Sequence, residues 1–140
     1  MGGEVTRERL YLLLVAGWVA LTLTLTSIPH PKFGPSFPGV DKIAHFCFYG
    51  VAGFLFALWR REAGAEAAAA VIWAAIFAAL LGAVDEVHQQ WIPGRSMDFL
   101  DWVADFAGGT AGGFCSAVAA SMLPSLLTPK DPPFSHAFKD

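Results

Sequence analysis

Residues 67–84 read AAAAVIWAAIFAALLGAV, which is 18 consecutive positions without a charged side chain. An α-helix rises about 1.5 Å per residue, so a run of this length nearly crosses the hydrocarbon core of a bilayer, which is about 30 Å thick. The run ends directly on two acids, Asp85 and Glu86. The stretch therefore predicts a membrane-spanning helix that carries carboxyl groups at one end.

Three further uncharged runs accompany this one, at residues 10–28, 43–59 and 106–123. With the polar residues at their ends, the four runs predict a single domain (residues 1–123) with four spans, at about residues 10–28, 41–60, 67–91 and 98–123. A flexible C-terminal tail is predicted for residues 124–140. In lipid only helices and closed barrels satisfy their backbone hydrogen bonds, and the runs lack the alternation of a barrel strand. We therefore predict an all-α integral membrane protein that forms a four-helix bundle.

The composition excludes several other classes of protein. Of the 140 residues 55% are hydrophobic and only 15% are charged, and the mean hydropathy is +0.50. A soluble domain has about 25% charged residues, and a disordered chain has few apolar ones. A net charge of −3 provides no basic surface for nucleic acid. Membrane lipid is therefore the expected partner of this chain, and nucleic acid is not.

The distribution of lysine and arginine predicts the orientation in the membrane. With four spans, both termini and the second loop share one side, which holds six basic residues: Arg7, Arg9, Arg60, Arg61, Lys130 and Lys139. The opposite side holds three: Lys32, Lys42 and Arg95. Because cytoplasmic loops are enriched in basic residues, this difference predicts a multi-pass protein of the cytoplasmic (inner) membrane with both termini in the cytoplasm.

Polar residues gather at the extracytoplasmic ends of the second, third and fourth spans, a region that we call the polar end. Six of the twelve acids fall there: Asp41, Asp85, Glu86, Asp98, Asp101 and Asp105. From the helical rise, His45, Asp85, Asp101 and Asp105 lie about 4 to 10 Å below the ends of their spans. A carboxylate that faces lipid at this depth costs on the order of 1 kcal/mol or more. We therefore expect three helices to turn these side chains toward one another around a polar pocket.

The fourth span carries a stripe of acidic and small residues. Asp98, Asp101, Asp105, Gly108 and Gly112 follow one another at spacings of three and four, so they share one face of a helix. Glycines four residues apart let helix backbones approach closely in membranes. The face that carries the acids is therefore predicted to contact neighbouring helices rather than lipid.

Three motifs in this order resemble the VanZ-like membrane protein family. The resemblance covers roughly residues 10–123. The first motif is Asp41-Lys42-x-x-His45, with Tyr49 after it. The second is Asp85-Glu86-x-His88-Gln89, followed by Pro93-Gly94-Arg95-Ser96, and the third is Asp98-x-x-Asp101-x-x-x-Asp105. The resemblance implies a small four-helix membrane protein of the cell envelope, and the founding member of the family is associated with resistance to the antibiotic teicoplanin. The family usually has asparagine where this chain has Asp105, so this chain carries an additional carboxyl group.

The polar end allows an enzymatic interpretation, with a lipid-linked or cell-envelope molecule as substrate. Crowded carboxyl groups of unequal environment suit general acid–base chemistry. The candidate catalytic residues are Asp85, Glu86, His88 and His45. The candidate substrate-binding residues, of which Lys42 and Arg95 would hold an anionic headgroup, are Lys42, Arg95, Gln89, Tyr49, Asp41, Asp101 and Asp105.

Other interpretations of the same residues stay open. His45, Asp85 and His88 offer donor atoms that suit a divalent cation, but no H-E-x-x-H or His/Cys zinc spacing is present, so no cofactor is assigned. The chain can instead be a non-catalytic binder of a lipid or a glycopeptide-like ligand. It can also be an accessory subunit of a membrane complex, in which the polar residues are purely structural.

Overall fold

The computed structural model describes residues 6–29 and 38–128, and these residues form four long α-helices without a β-strand. The helices are α1 (Arg7–Thr26), α2 (Val40–Glu62), α3 (Ala67–Gln89) and α4 (Phe99–Met122), and a one-turn 3-10 helix (Pro124–Leu126) follows. The predicted all-α, four-helix fold is confirmed. Residues 129–140, which make up most of the predicted tail, lie outside the described residues.

Local sequence explains where several helices begin. Thr6 accepts a hydrogen bond from the backbone N–H of Arg9 and caps α1, while the Asp98 carboxylate caps α4 in the same way. Gly64, in the connection between α2 and α3, has a φ of 101°, a conformation that glycine adopts without steric cost. This short connection reverses the chain and places α3 antiparallel to α2.

Large apolar side chains point out of the bundle. Eight of them are at least 60% exposed: Leu13, Ile72, Leu80, Val84, Trp91, Phe99, Phe114 and Met122. The buried positions are mostly small or polar, and they include Ala70, Ala74 and Ala78. A soluble protein buries its large apolar residues, whereas helices in lipid pack through small ones. The distribution of side chains is therefore that of a membrane protein.

Three helices, α1, α2 and α3, are long and apolar enough to cross a membrane. The remaining helix, α4, has 24 residues and carries four glycines and two acids, Asp101 and Asp105. It also has eight buried residues, more than any other helix, because it lies between α2 and α3. The acids and glycines of α4 are thus the residues that it buries against α2 and α3.

Glycines let α4 approach α2 at backbone distance. A Cβ atom built on Gly108 would lie 2.2 Å from the carbonyl oxygen of Phe46, and one built on Gly112 would lie 1.9 Å from that of Gly50. From the first contact to the second, the residue number rises by four in both helices, so α2 and α4 run parallel. On its other side α4 packs against alanines of α3.

These helix directions bring the polar residues to one end of the bundle. Thr26, the last residue of α1, donates a hydrogen bond of 2.6 Å to Asp85 of α3. His45 of α2 lies 2.9 Å from Asp105 of α4. The C-terminal ends of α1 and α3 therefore meet the N-terminal ends of α2 and α4, which forms the polar end.

The opposite end of the bundle is closed by the residues that follow α4. Arg7 donates to the carbonyl oxygen of Ser125 at 2.6 Å, and Tyr11 donates to that of Leu126 at 2.5 Å. Thr128 donates to the Glu62 carboxylate at the end of α2. The first part of the predicted tail, residues 124–128, thus contacts both α1 and α2.

Candidate functional site

A histidine–aspartate pair lies at the centre of the polar end. The distance from His45 Nδ1 to Asp105 Oδ1 is 2.9 Å, and the two side chains are 8% and 0% exposed. The His45 ring lies nearly parallel to the Tyr49 ring, with centroids 6.3 Å apart. A carboxylate on Nδ1 fixes the orientation and the tautomer of an imidazole and leaves Nε2 free to take or give a proton.

Both acids at the end of α3 point into the bundle, since Asp85 is 0% and Glu86 is 3% exposed. Asp85 accepts hydrogen bonds from Thr26 at 2.6 Å and from Tyr49 at 3.3 Å. Glu86 accepts the backbone N–H of Asp98 at 2.7 Å, which ties the end of α3 to the start of α4. The sequence alone did not decide which of the two acids faces the pocket, and the structure buries both.

Lys42 and three aspartates form a second group nearer the end of the bundle. The Nζ atom of Lys42 lies 2.8 Å from a carboxylate oxygen of Asp98, 3.0 Å from one of Asp101 and 3.2 Å from one of Asp41. The oxygens of these carboxylates lie close enough together for a metal ion, but the lysine already sits among them. With three carboxylates around one ammonium group, Lys42 keeps no unpaired charge for an anionic headgroup.

The same contact changes the titration of Asp98, which lies just outside α4. The hydrogen bond from Lys42 holds the pKa of the Asp98 carboxyl group below its ordinary value. Because this pKa is lower in the folded than in the unfolded state, the contact stabilises the fold at pH values above the pKa of the unfolded state. That contribution is lost as the pH falls through the folded pKa.

Arg95 lies apart from the carboxylates. Its guanidinium nitrogens are 3.3 Å from Gln89 Oε1 and 3.5 Å from the carbonyl oxygens of Leu25 and Ile28 at the end of α1. Within residues 6–29 and 38–128, no carboxylate lies within 4.0 Å of it. Arg95 is therefore the better of the two predicted headgroup-binding residues.

The structure does not bring His88 into the cluster. It is half-buried, and it is absent from the groups of potential metal ligands in the part of the chain that the structure describes. The buried face of α3 includes Gly82, Asp85, Glu86 and Gln89. Around the helix axis, Glu86 and Gln89 lie on one side of Asp85 and His88 lies on the other. The buried face is therefore centred away from His88. The geometry gives no support to the predicted catalytic or metal-binding role of His88.

A cavity of about 390 Å³ opens between α1 and α2 beside the histidine–aspartate pair. Its apolar lining includes Leu25, Ala44 and Phe48, and its polar lining includes His45 and Arg95. A concave site with apolar walls and a few convergent polar groups is typical of a site for a small molecule. This cavity and the pair beside it form the candidate site.

Comparison with known proteins identifies the family. The model of the VanZ/LLP1 family matches residues 4–120, which is most of the chain. The chain belongs to the VanZ/LLP1 family. No curated protein and no solved structure matches it. The matched range contains the polar end of this VanZ/LLP1 protein, and the resemblance predicted from its motifs is confirmed.

In this VanZ/LLP1 protein α1 contributes to the site, which was not predicted from the sequence. Thr26 donates to Asp85, and Thr22 and Leu25 line the cavity beside it. A signal is present in residues 21–26, LTLTLT, where threonine recurs in an otherwise apolar span. Threonine hydroxyls in a helix commonly bond to carbonyl oxygens of their own helix, as Thr22 does, so the pattern alone does not indicate a site.

Three buried side chains of this family member have donor atoms arranged for a metal ion. Suitable atoms of His45, Glu86 and Asp105 lie within 4.8 Å of one another. The sequence predicted instead that Asp85 and His88 accompany His45 as possible ligands. The structure places His88 aside and engages both oxygens of Asp85 in hydrogen bonds. Glu86 and Asp105 therefore replace them as the better candidates.

Proposed function

We propose that this protein binds the headgroup of an anionic amphiphile in the cavity between α1 and α2 and acts on it through His45. The observation that supports this proposal is the His45–Asp105 pair beside a cavity with mostly apolar walls. A lipid-linked molecule of the cell envelope has an apolar chain for such walls and a polar head for the pair. The expected activity is therefore that of an enzyme on a lipid-linked substrate.

Arg95 is the proposed anchor of the headgroup. It lines the cavity and contacts only neutral oxygen atoms, at 3.3 to 3.5 Å, among the described residues. The planar guanidinium group matches a phosphate or carboxylate with two parallel hydrogen bonds. An anionic headgroup would therefore replace weak neutral contacts of Arg95 with strong ionic ones.

His45 is the proposed group that activates the attacking nucleophile. Asp105 accepts from Nδ1, so Nε2 is the nitrogen available for proton transfer. A positioned general acid or base contributes about 10²- to 10⁴-fold to a reaction rate. In this scheme Asp85 and Tyr49, which are hydrogen-bonded to each other, hold the surrounding helices in place.

His45→Gln is expected to lower turnover by about 10²-fold or more because it removes the proton-carrying nitrogen. The purified protein is placed in nanodiscs made from bacterial envelope lipids, and mass spectrometry follows the anionic amphiphiles over time. Wild type should convert at least one of them, and Arg95→Met should require more substrate. Arg9→Met, an exposed arginine near the opposite end of α1, is the matched control and should behave as wild type.

Two outcomes of this experiment contradict the enzymatic proposal. If an amphiphile binds to wild type but its mass never changes, the protein is a non-catalytic binder, which is the alternative interpretation of the sequence. If Arg9→Met impairs turnover as strongly as Arg95→Met, the effect is not specific to the cavity. In cells, a teicoplanin-resistance role like that of the founding family member would require His45→Gln to lose the resistance that wild type confers on a sensitive bacterium.

We also propose that the protein lies in the inner membrane with both termini in the cytoplasm and the polar end on the opposite side, because six basic residues lie on the side of the termini and three on the other. Cys47 and Cys115 are exposed on the bundle and must first be replaced by alanine. A membrane-impermeant maleimide should then label Ser96→Cys in spheroplasts, and Ala63→Cys only after lysis. The reverse labelling pattern would place the polar end in the cytoplasm.

A further inference from the structure

We propose that the polar end binds a divalent cation through His45, Glu86 and Asp105. These three residues come from α2, α3 and α4, and their donor atoms lie within 4.8 Å of one another. Asp105 Oδ1 already lies 2.9 Å from His45 Nδ1, so the oxygen that Asp105 has left for an ion is Oδ2.

The charges of the buried groups are unbalanced. Four carboxyl groups are at most 7% exposed: Asp85, Glu86, Asp101 and Asp105. Among the lysines and arginines of the described chain only Lys42 makes an ion pair with any of them, and it reaches only Asp101. Even with a protonated His45, four carboxylates face two positive charges. Unpaired buried carboxylates are strongly unfavourable, so protons or a cation must supply the missing charge.

An unpartnered acceptor atom favours the cation. Asp105 Oδ2 is fully buried and accepts no hydrogen bond from a described residue. The atom faces α3 one turn before Glu86, since a Cβ atom built on Gly82 would lie 2.7 Å from it. Buried polar atoms nearly always have a partner, and this one, on a residue of the proposed ligand set, has none among the described residues. This observation does not depend on the charge count.

The ligand set also limits the kind of ion. One imidazole and two carboxylates suit Mn²⁺ or Zn²⁺, and three protein ligands leave coordination positions open. Because His45 lines the cavity, an open position can accept a headgroup oxygen or water from that side. In this respect the inference rests on the proposed function, but it makes His45 and Asp105 ligands, so that a water on the ion, rather than His45 Nε2, would supply the nucleophile. The binding of the ion itself does not depend on any substrate.

Binding of Mn²⁺ alone and Zn²⁺ alone to the full chain in nanodiscs tests the proposal. After treatment with EDTA and dialysis against each metal, elemental analysis and the electron paramagnetic resonance of Mn²⁺ should show about one ion per wild-type chain. Glu86→Gln and Asp105→Asn, which keep the size of each side chain, should bind at least tenfold more weakly. Asp98→Asn is the matched control, since it removes a carboxylate of the Lys42 group, and it should bind as wild type.

Each result supports or overturns the inference. Wild type that binds neither metal overturns it, and so does binding that Asp98→Asn weakens and Glu86→Gln does not. If the Glu86 variant fails to fold, the Asp105 variant and wild type decide the question. Turnover that depends on His45 but not on metal would overturn this inference and leave the proposed function in place. Metal binding without conversion of any amphiphile would support this inference and overturn the proposed function.

Discussion

Gly112→Leu is expected to leave no folded, monodisperse protein, because it separates α2 from α4. A Cβ atom at this position would lie 1.9 Å from the carbonyl oxygen of Gly50 and 2.9 Å from the backbone nitrogen of Phe54. These are backbone atoms within a helix, so they cannot turn aside as a flexible side chain does. Even Gly112→Ala should lower the free energy of unfolding by about 1–3 kcal/mol, as overpacking does elsewhere. Size-exclusion chromatography and thermal unfolding in detergent measure both effects.

Gly17 provides the matched control for this prediction. It also lies inside a long helix, but a Cβ atom built there meets nothing within 4 Å. Gly17→Ala should therefore be neutral or slightly stabilising, since alanine is favoured over glycine in a helix by about 1 kcal/mol. If Gly112→Leu folded as well as Gly17→Ala, the backbone contact between α2 and α4 would not exist in the protein.

The fold could be predicted because lipid leaves a helix few alternatives. The third span was expected at residues 67–91 and α3 is Ala67–Gln89, since the uncharged run fixes its start and Pro93 and Gly94 follow its end. The role of α4 was also visible in its stripe of acids and glycines. A glycine face that carries carboxyl groups can only be buried, and it lies between the two helices that shield it.

The candidate site could be predicted only in part, because residue spacing does not fix the direction of a buried face. Asp85 and His88 share one side of a helix by their spacing, but packing turns that helix toward Glu86 and Gln89. This rotation brings Gly82 against Asp105, which lies 23 residues away in the sequence. No local pattern encodes such a contact. The same holds for the part that α1 takes in the cavity.

Gly82→Ala is expected to displace Asp105 and to break the pair that it forms with His45. A Cβ atom at position 82 would lie 2.7 Å from Asp105 Oδ2 and 2.9 Å from its Cβ atom. The aspartate side chain is short and fully buried, so it has little room to move. The free energy of unfolding in detergent should fall by about 1–3 kcal/mol. Turnover and Mn²⁺ binding should be lost together, because both proposals need Asp105 in its place.

Asp105→Ala in the same chain tests whether the aspartate is the cause of that loss. It removes the carboxyl group that the new methyl group would meet, so adding Gly82→Ala to this background should cost less than it does in wild type. A double-mutant cycle should give a favourable coupling of about 0.5–3 kcal/mol between the two substitutions. Strictly additive effects would mean that position 82 does not press on the Asp105 carboxyl group. The geometry on which the histidine–aspartate pair and the cation site both depend would then be too loose to support either.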